Sequence, residues 1–124
     1  MSRPEAESLF ASQPALIPVY DELEQWILGL PGTRVLYRKT QVSFYARHTF
    51  ASAWPPVLSM KNRPDCYFVV SFYLNQRVDH PRIVSSVEPV PGRWTHHVLI
   101  ASGSDLDDVL RGWLLRAYEW ACQN

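Results

Sequence analysis

Cys66-Tyr67-Phe68-Val69-Val70-Ser71-Phe72-Tyr73-Leu74 is the stretch that decides the fold class of this chain. Almost every residue in it is β-branched, aromatic or aliphatic, with Pro64 and Asp65 before and Asn75 after. Such side chains fit a pleated, largely buried surface, so the stretch is predicted to be a strand near the middle of a sheet. Phe68, Val70, Phe72 and Leu74 share one face, which belongs under a layer of helices. Tyr67, Val69, Ser71 and Tyr73 share the other, an amphipathic surface suited to water, a partner or a ligand.

Reading outward, residues 34–40 and 41–47 are predicted strands joined by a tight hairpin or a bulge. Val42, Phe44 and Ala46 alternate there with Gln41, Ser43, Tyr45 and Arg47, giving one apolar and one polar-aromatic side. Residues 50–60 are predicted as a third strand, kinked or ended by Pro55-Pro56. Residues 78–92 hold three prolines and are read as a loop, with at most a short edge strand at 82–85. Residues 93–102 form the last predicted strand.

Helices flank this β-rich middle. Residues 2–11 are predicted helical, with Pro4 near the start and Glu5 and Glu7 in the first turn. From Pro18, the residues Tyr20, Leu23, Ile27 and Leu30 form a helical stripe that Pro31-Gly32 ends. Asp21, Glu22 and Glu24 are assigned to the positive end of that helix. Ser104-Asp105-Leu106-Asp107 reads as a capping-box-like helix start. Behind it, Leu106, Val109, Leu110, Trp113, Leu114, Ala117 and Ala121 make a wide apolar stripe. The expectation is one α+β domain over residues 1–124: an antiparallel sheet of about five strands, with N-terminal and C-terminal helices packed on one face.

Composition sets the outer limits. A chain of 124 residues, 47% hydrophobic and 19% charged, is long and apolar enough to bury a core without staples. No apolar run approaches the roughly 18 residues a membrane span needs. Residues 1–10 are polar and lack the apolar core of a signal peptide. Cys66 and Cys122 have no metal-site spacing and are read as reduced, buried thiols of a cytoplasmic protein.

Net charge is zero, which disfavours a general nucleic-acid binder, yet the charges are segregated. Residues 34–93 hold nine basic residues against three acids, and the two ends hold three basic residues against nine acids. Either the middle presents an anion-facing side, or the acidic ends pack against it and neutralise it.

In the last third of the chain a family pattern emerges. Arg93-Trp94-Thr95-His96-His97-Val98-Leu99-Ile100, then Asp105-Leu106-Asp107, then Trp113-Leu114 and Ala117-Tyr118, resembles the domain-of-unknown-function family DUF5655. Lys39-Thr40-Gln41-Val42-Ser43-Phe44 and Phe50-Ala51 are similar to that family's early strand motif. The resemblance covers nearly the whole chain and implies a compact bacterial α+β domain, found alone or attached to others, with no assigned activity. It brings no catalytic residues.

Reaction signatures are lacking: there is no nucleophile elbow, phosphate-cradling glycine loop or dinucleotide fingerprint, and no cofactor is expected. His96 and His97 are neighbours on a predicted strand, so they point to opposite faces and do not share a metal. His96 is assigned to the core and His97 to the open face. The candidate binding residues on or beside that face are Arg38, Lys39, Ser43, Tyr45, Arg47, Tyr67, Tyr73, Arg93 and His97, with Ser71 and Thr95 among them. Tyrosines beside arginines suit a protein interface, and the neutral net charge makes a homodimer or another protein partner the first expectation. The first alternative is an anion or single-stranded nucleic-acid module, which requires a continuous positive patch across Arg38, Lys39, Arg47 and Arg93. The second is a small enzyme with His97 as acid or base, which requires a pocket around His97 and a hydroxyl or carboxylate in reach.

Overall fold

The computed structural model describes residues 4–55 and 66–123. Helix α1 (Pro4–Leu9) leads through a 3-10 turn (Pro14–Leu16) into α2 (Ile17–Leu28). Strands β1 (Arg34–Tyr37), β2 (Val42–Tyr45), β3 (Thr49–Trp54), β4 (Phe68–Leu74), β5 (Ile83–Val90) and β6 (Arg93–Ile100) follow, and α3 (Asp108–Gln123) ends the chain. The strands make one antiparallel sheet in the order β1-β2-β3-β4-β6-β5. The α+β class and the N-terminal and C-terminal helices match the expectation. The sheet has six strands, not five.

The sixth strand is the main correction. The prolines near residue 90 argued for a loop, yet β5 runs eight residues to Val90 and pairs with β6. Its position explains this. β5 is an edge strand whose register shifts between Val87 and Val90, so Pro89 sits where no ladder hydrogen bond is needed. Pro91 and Gly92 then make the two-residue turn into β6, and Gly92 adopts φ 81°, as the third position of a type II turn requires. β3 ends at Trp54, directly before Pro55, and Pro56 and the rest of the stretch predicted to reach residue 60 lie outside the described residues.

The alternation read from β4 holds. Phe68, Val70 and Phe72 are fully buried beneath the helices together with Phe44, Val98 and Ile100. Phe10, Tyr20 and Ile27 cover one half of that face, with Phe10 edge-on to Phe68 at 5.4 Å. α3 covers β3 and β4 with Leu110, Trp113, Leu114 and Ala117. On β3 the facing residues are Ala51 and Ala53, both fully buried, and their small size lets the helix come close. A ring column stands at the centre. Trp113 stacks on Phe72 at 5.4 Å, Phe72 stacks on His96 at 4.9 Å, and His80 meets Trp113 edge-on at 5.0 Å.

One bulge re-aims a side chain. Phe44 pairs with Ala51 but Tyr45 with Thr49, so Phe50 is the extra residue on β3. Strict alternation would put Phe50 with Ser52. The bulge turns it into the core instead, edge-on to Tyr118 of α3 at 5.7 Å.

Glu24 also departs from the reading as a residue at the positive helix end. It lies well inside α2 at 3% exposure, one turn beyond Tyr20 on the buried stripe. Its Oε1 accepts the Tyr20 hydroxyl at 2.9 Å and the Tyr37 hydroxyl as well, tying α2 to β1. Burial pushes the Tyr20 phenol far above its ordinary range.

The C-terminal helix begins later than Ser104. Ser102 and Asp105 form a capping box around a 3-10 turn (Gly103–Asp105), and α3 starts separately at Asp108. Asp107 Oδ1 accepts the Leu110 N–H at 3.0 Å and also the Arg82 guanidinium at 2.8 Å. The Leu110 bond first, and then Arg82, hold the Asp107 carboxyl below its ordinary value.

Two substitutions test this account. Phe72→Ala should destabilise the protein by about 3–5 kcal/mol in urea unfolding, because it empties the ring column. Asp107→Ala should lower stability by about 1 kcal/mol, the usual worth of an N-cap.

Candidate functional site

The face of the sheet away from the helices carries a row of small polar residues. The register sets Ser43 beside Ser52, Ser52 beside Ser71, Ser71 beside His97, and His97 beside Ser85. Ser71 is the hub of this row. Its Oγ accepts the Trp54 indole N–H at 3.3 Å and lies 2.7 Å from His97 Nδ1. The hydroxyl oxygen has two lone pairs, so beside accepting the indole proton it either donates to Nδ1 or accepts from it, according to the imidazole tautomer. Burial lowers the pKa of His97, so the ring is neutral at pH 7.

Little of this row is open. Ser43, Ser52 and Ser71 are at most 3% exposed, and Val69 and Tyr67 are buried too. Tyr67 lies just before β4, and its backbone N–H donates to Gln13 Oε1 at 2.6 Å. Ser43, Tyr67 and Ser71 thus lie on the sheet but do not reach solvent. A Ser71 hydroxyl at 2% exposure has no path to a substrate.

Tyr45, Arg47, Tyr73 and Arg93 gather at one end of the sheet. Arg34 pairs with Tyr45, Tyr45 with Thr49, Tyr73 with Thr95, and Arg93 starts β6, so all of these lie where β2 and β4 end. Arg34 stands over the Tyr45 ring at 5.1 Å, and Arg38 donates to the Tyr45 hydroxyl at 3.2 Å. Hydrogen bonds from Thr49 and then Arg38 hold the Tyr45 phenol below its ordinary range. Arg93 stands over the Tyr73 ring at 4.5 Å, and Arg77 over Trp94 at 5.9 Å. Arg47 and His48 occupy the exposed turn between β2 and β3 at the same end.

A cleft of about 340 Å³ opens at this end of the sheet. Tyr73, Arg93, His48 and Thr49 line one side, and Ala117, Trp120 and Ala121 of α3 line the other. The two alanines, one helical turn apart, leave the space that Trp120 borders. His48, Trp120 and the two alanines are not among the candidate binding residues of the sequence, where the alanines belong to the apolar stripe of the last helix. The alanines and Trp120 read there only as helix, because the strand ends they meet are distant in the chain.

A continuous patch over Arg38, Lys39, Arg47 and Arg93 does not form. Lys39 sits in the turn at the opposite end, on a separate cleft with Arg38, Glu5 and Tyr37. What does form is two separate arginine–tyrosine groups, Arg34 and Arg38 around Tyr45 and Arg93 over Tyr73. The neutralisation question also has a mixed answer. Arg82 is paired with Asp107 of the acidic C-terminal end, and Arg77 with Asp79. Among the described residues Arg34, Arg38, Arg47 and Arg93 have no carboxylate partner.

His97 lines neither cleft. It has the required hydroxyl in reach, but that hydroxyl is buried. His96 faces the core, fully buried, and its Nε2 accepts the Val78 N–H at 2.9 Å. Burial lowers its pKa as well. The two cysteines are free, Cys66 half-buried and Cys122 exposed, not the buried pair expected.

The molecule is therefore a small α+β domain with a cationic, ring-lined cleft at its strand ends. The chain belongs to the family described as Domain of unknown function (DUF5655), whose model matches residues 6–121. No curated protein and no solved structure matches it.

Buried His96 and half-buried His97 both resist protonation, which fixes a pH dependence. Above about pH 6.5 they are neutral whether the chain is folded or unfolded. As pH falls below that, the unfolded chain takes up protons that His96 and His97 refuse in the fold. Stability should therefore drop from pH 7 to pH 5 in urea titrations, and His97→Gln should flatten part of the slope. An unchanged stability over that interval would contradict the assignment.

Proposed function

We propose that this domain is a non-enzymatic binding module that takes an anionic ligand at the strand-end cleft. The observation that carries the reading is Arg93: its guanidinium stands over Tyr73 at the mouth of the cleft with no carboxylate partner among the described residues. An exposed guanidinium held on an aromatic ring is oriented in advance for an oxyanion, because less side-chain freedom is lost on binding. Arg34, standing over Tyr45, adds to the positive field at the same end of the sheet.

Self-association through the open sheet face, the first expectation from composition, has less support. The serine row at its centre is buried, and its exposed apolar side chains lie on the two edge strands, Leu36 on β1 and Val87 and Val90 on β5. A catalytic His97 has less still, since the hydroxyl it contacts is enclosed. The free cysteines favour a reducing compartment, and we place the domain in a bacterial cytoplasm. Among the described residues no helix is long and apolar enough to cross a membrane.

Anion binding to the fold raises its melting temperature by mass action. Inorganic phosphate should raise Tm by several degrees over chloride at equal ionic strength. The double variant Arg34→Gln with Arg93→Gln should lose most of that shift. Arg82→Gln, which breaks the pair with Asp107, should lower Tm but keep the phosphate shift. Retention of the full shift in the double variant would sink the proposal.

A further inference from the structure

Residues 75–82 join β4 to β5 and lie mostly exposed, with only Val78 and Arg82 half-buried. Val78 packs against the core, and its backbone N–H donates to His96 Nε2 at 2.9 Å. At the far end of the segment Arg82 donates to Asp107 Oδ1 at 2.8 Å and to the Asp105 carbonyl at 2.9 Å. His80 lies between them, its ring edge-on to Trp113 at 5.0 Å.

A backbone N–H can only donate, so the Val78 contact requires a bare Nε2, and the one proton of the neutral His96 ring sits on Nδ1. A second proton would go on Nε2, where it would meet the Val78 N–H, donor against donor. Around the ring, β4 presents Phe72 and β5 the uncharged Ser86 opposite in the register. The charged groups that act on it are His97 of β6, Arg116 of α3 and Arg77 of the segment itself, all of the same sign as an imidazolium. Asp79 of the segment is paired with Arg77. His96 is fully buried, so water cannot hydrate the charge in place. The second proton and the closed segment therefore exclude each other.

We infer that residues 75–82 are an acid-operated strap: protonation of His96 breaks the Val78 contact and lifts the segment while the sheet stays folded. Lifting the strap is the smallest movement that brings water to Nε2, and a mostly exposed segment opens at lower cost than the core. The far end holds, because the Asp107 carboxyl is kept below its ordinary value and stays ionised for Arg82. The closed strap refuses the proton and the open strap takes it. Closure is thus fully favoured above about pH 6.5, the ordinary histidine value, and is lost as pH falls below it. His80 Nδ1 also accepts a backbone N–H, that of Arg82 at 3.1 Å, but His80 is exposed and water can take up its charge. Burial makes His96 the trigger.

Amide hydrogen exchange on the intact chain tests the strap, each rate being divided by its intrinsic rate at that pH to give a protection factor. From about pH 7.5 to about pH 5.5 the protection of the Val78 amide should fall about tenfold, the factor that one histidine of ordinary pKa supplies to the open state. The Val70 amide, in the middle of β4, should exchange more slowly than Val78 at both values. His96→Gln offers an amide oxygen that accepts the Val78 N–H without titrating, so it should hold Val78 protection constant over the interval. His80→Gln should leave the fall in place. Where His96→Gln fails to fold, nitrogen NMR of the native imidazoles decides, with His96 Nε2 expected bare at neutral pH. A protonated Nε2 there, Val78 protection independent of pH, or Val78 exchanging only as fast as Val70 would overturn the strap. Loss of the pH dependence in His80→Gln would overturn His96 as its trigger.

Discussion

The stack of Trp113 on Phe72 and of Phe72 on His96 is the contact on which the rest of the arrangement depends. It joins the C-terminal helix to the neighbouring strands β4 and β6, and it fixes which of their residues face inward. Side chains alternate along a strand, so seating Phe72 and His96 under α3 sends Ser71, Tyr73 and His97 to the other side. A slip of one residue would bury Tyr73 and Ser71 in the core and expose two aromatic rings. Register here is therefore a single decision with consequences on both faces. The Glu24 carboxylate makes a parallel connection at the other flank, where Tyr20 and Tyr37 tie α2 to the edge strand β1.

Much of this was legible from local pattern. Phe68, Val70, Phe72 and Leu74 alternate with Val69, Ser71 and Tyr73, and Trp113, Leu114 and Ala117 have helical spacing, so the core-facing side of each element is read directly. The misreadings share a cause: tertiary context overrode a local signal. Pro89 argues against a strand only where its missing N–H is needed, and at a bulged sheet edge it is not. Glu24 reads as a helix-dipole residue because it is acidic, although its spacing of one turn from Tyr20 places it on the buried stripe. Phe50 obeys the alternation rule until a bulge breaks it, and a bulge has no sequence mark in Thr49-Phe50-Ala51.

The site was legible in part for the same reason. The strand pattern placed Tyr45, Tyr73 and Arg93 on one face, but face membership says nothing about position along the strands. The register supplies that second coordinate, and it separates the candidates. Ser43, Ser71 and His97 fall in the sheet's middle row, where they are buried or half-buried and hydrogen-bonded to their neighbours. Tyr45, Tyr73 and Arg93 fall at the ends, where strands stop and side chains meet solvent. Trp120, Ala117 and Ala121 reach that place only because α3 crosses β3 and β4, a relation no local pattern contains.

The charge segregation along the chain resolves in space by the same geometry. Arg82 sits just before β5 and is consumed by Asp107 and by the Asp105 carbonyl, so it serves the helix cap. Arg77 meets Asp79 two residues on. Arg34 and Arg93 begin strands at the end of the sheet remote from the α3 N-terminus, where the acidic C-terminal segment does not reach them. Neutral net charge thus conceals two classes of arginine, one spent on structure and one left facing outward. A net charge of zero excludes a molecule coated in positive potential, but it is compatible with a short cationic rim a few residues wide. Such a rim favours a small ligand over a long polyanion, because only the charges within about a Debye length of the site contribute appreciably at physiological salt.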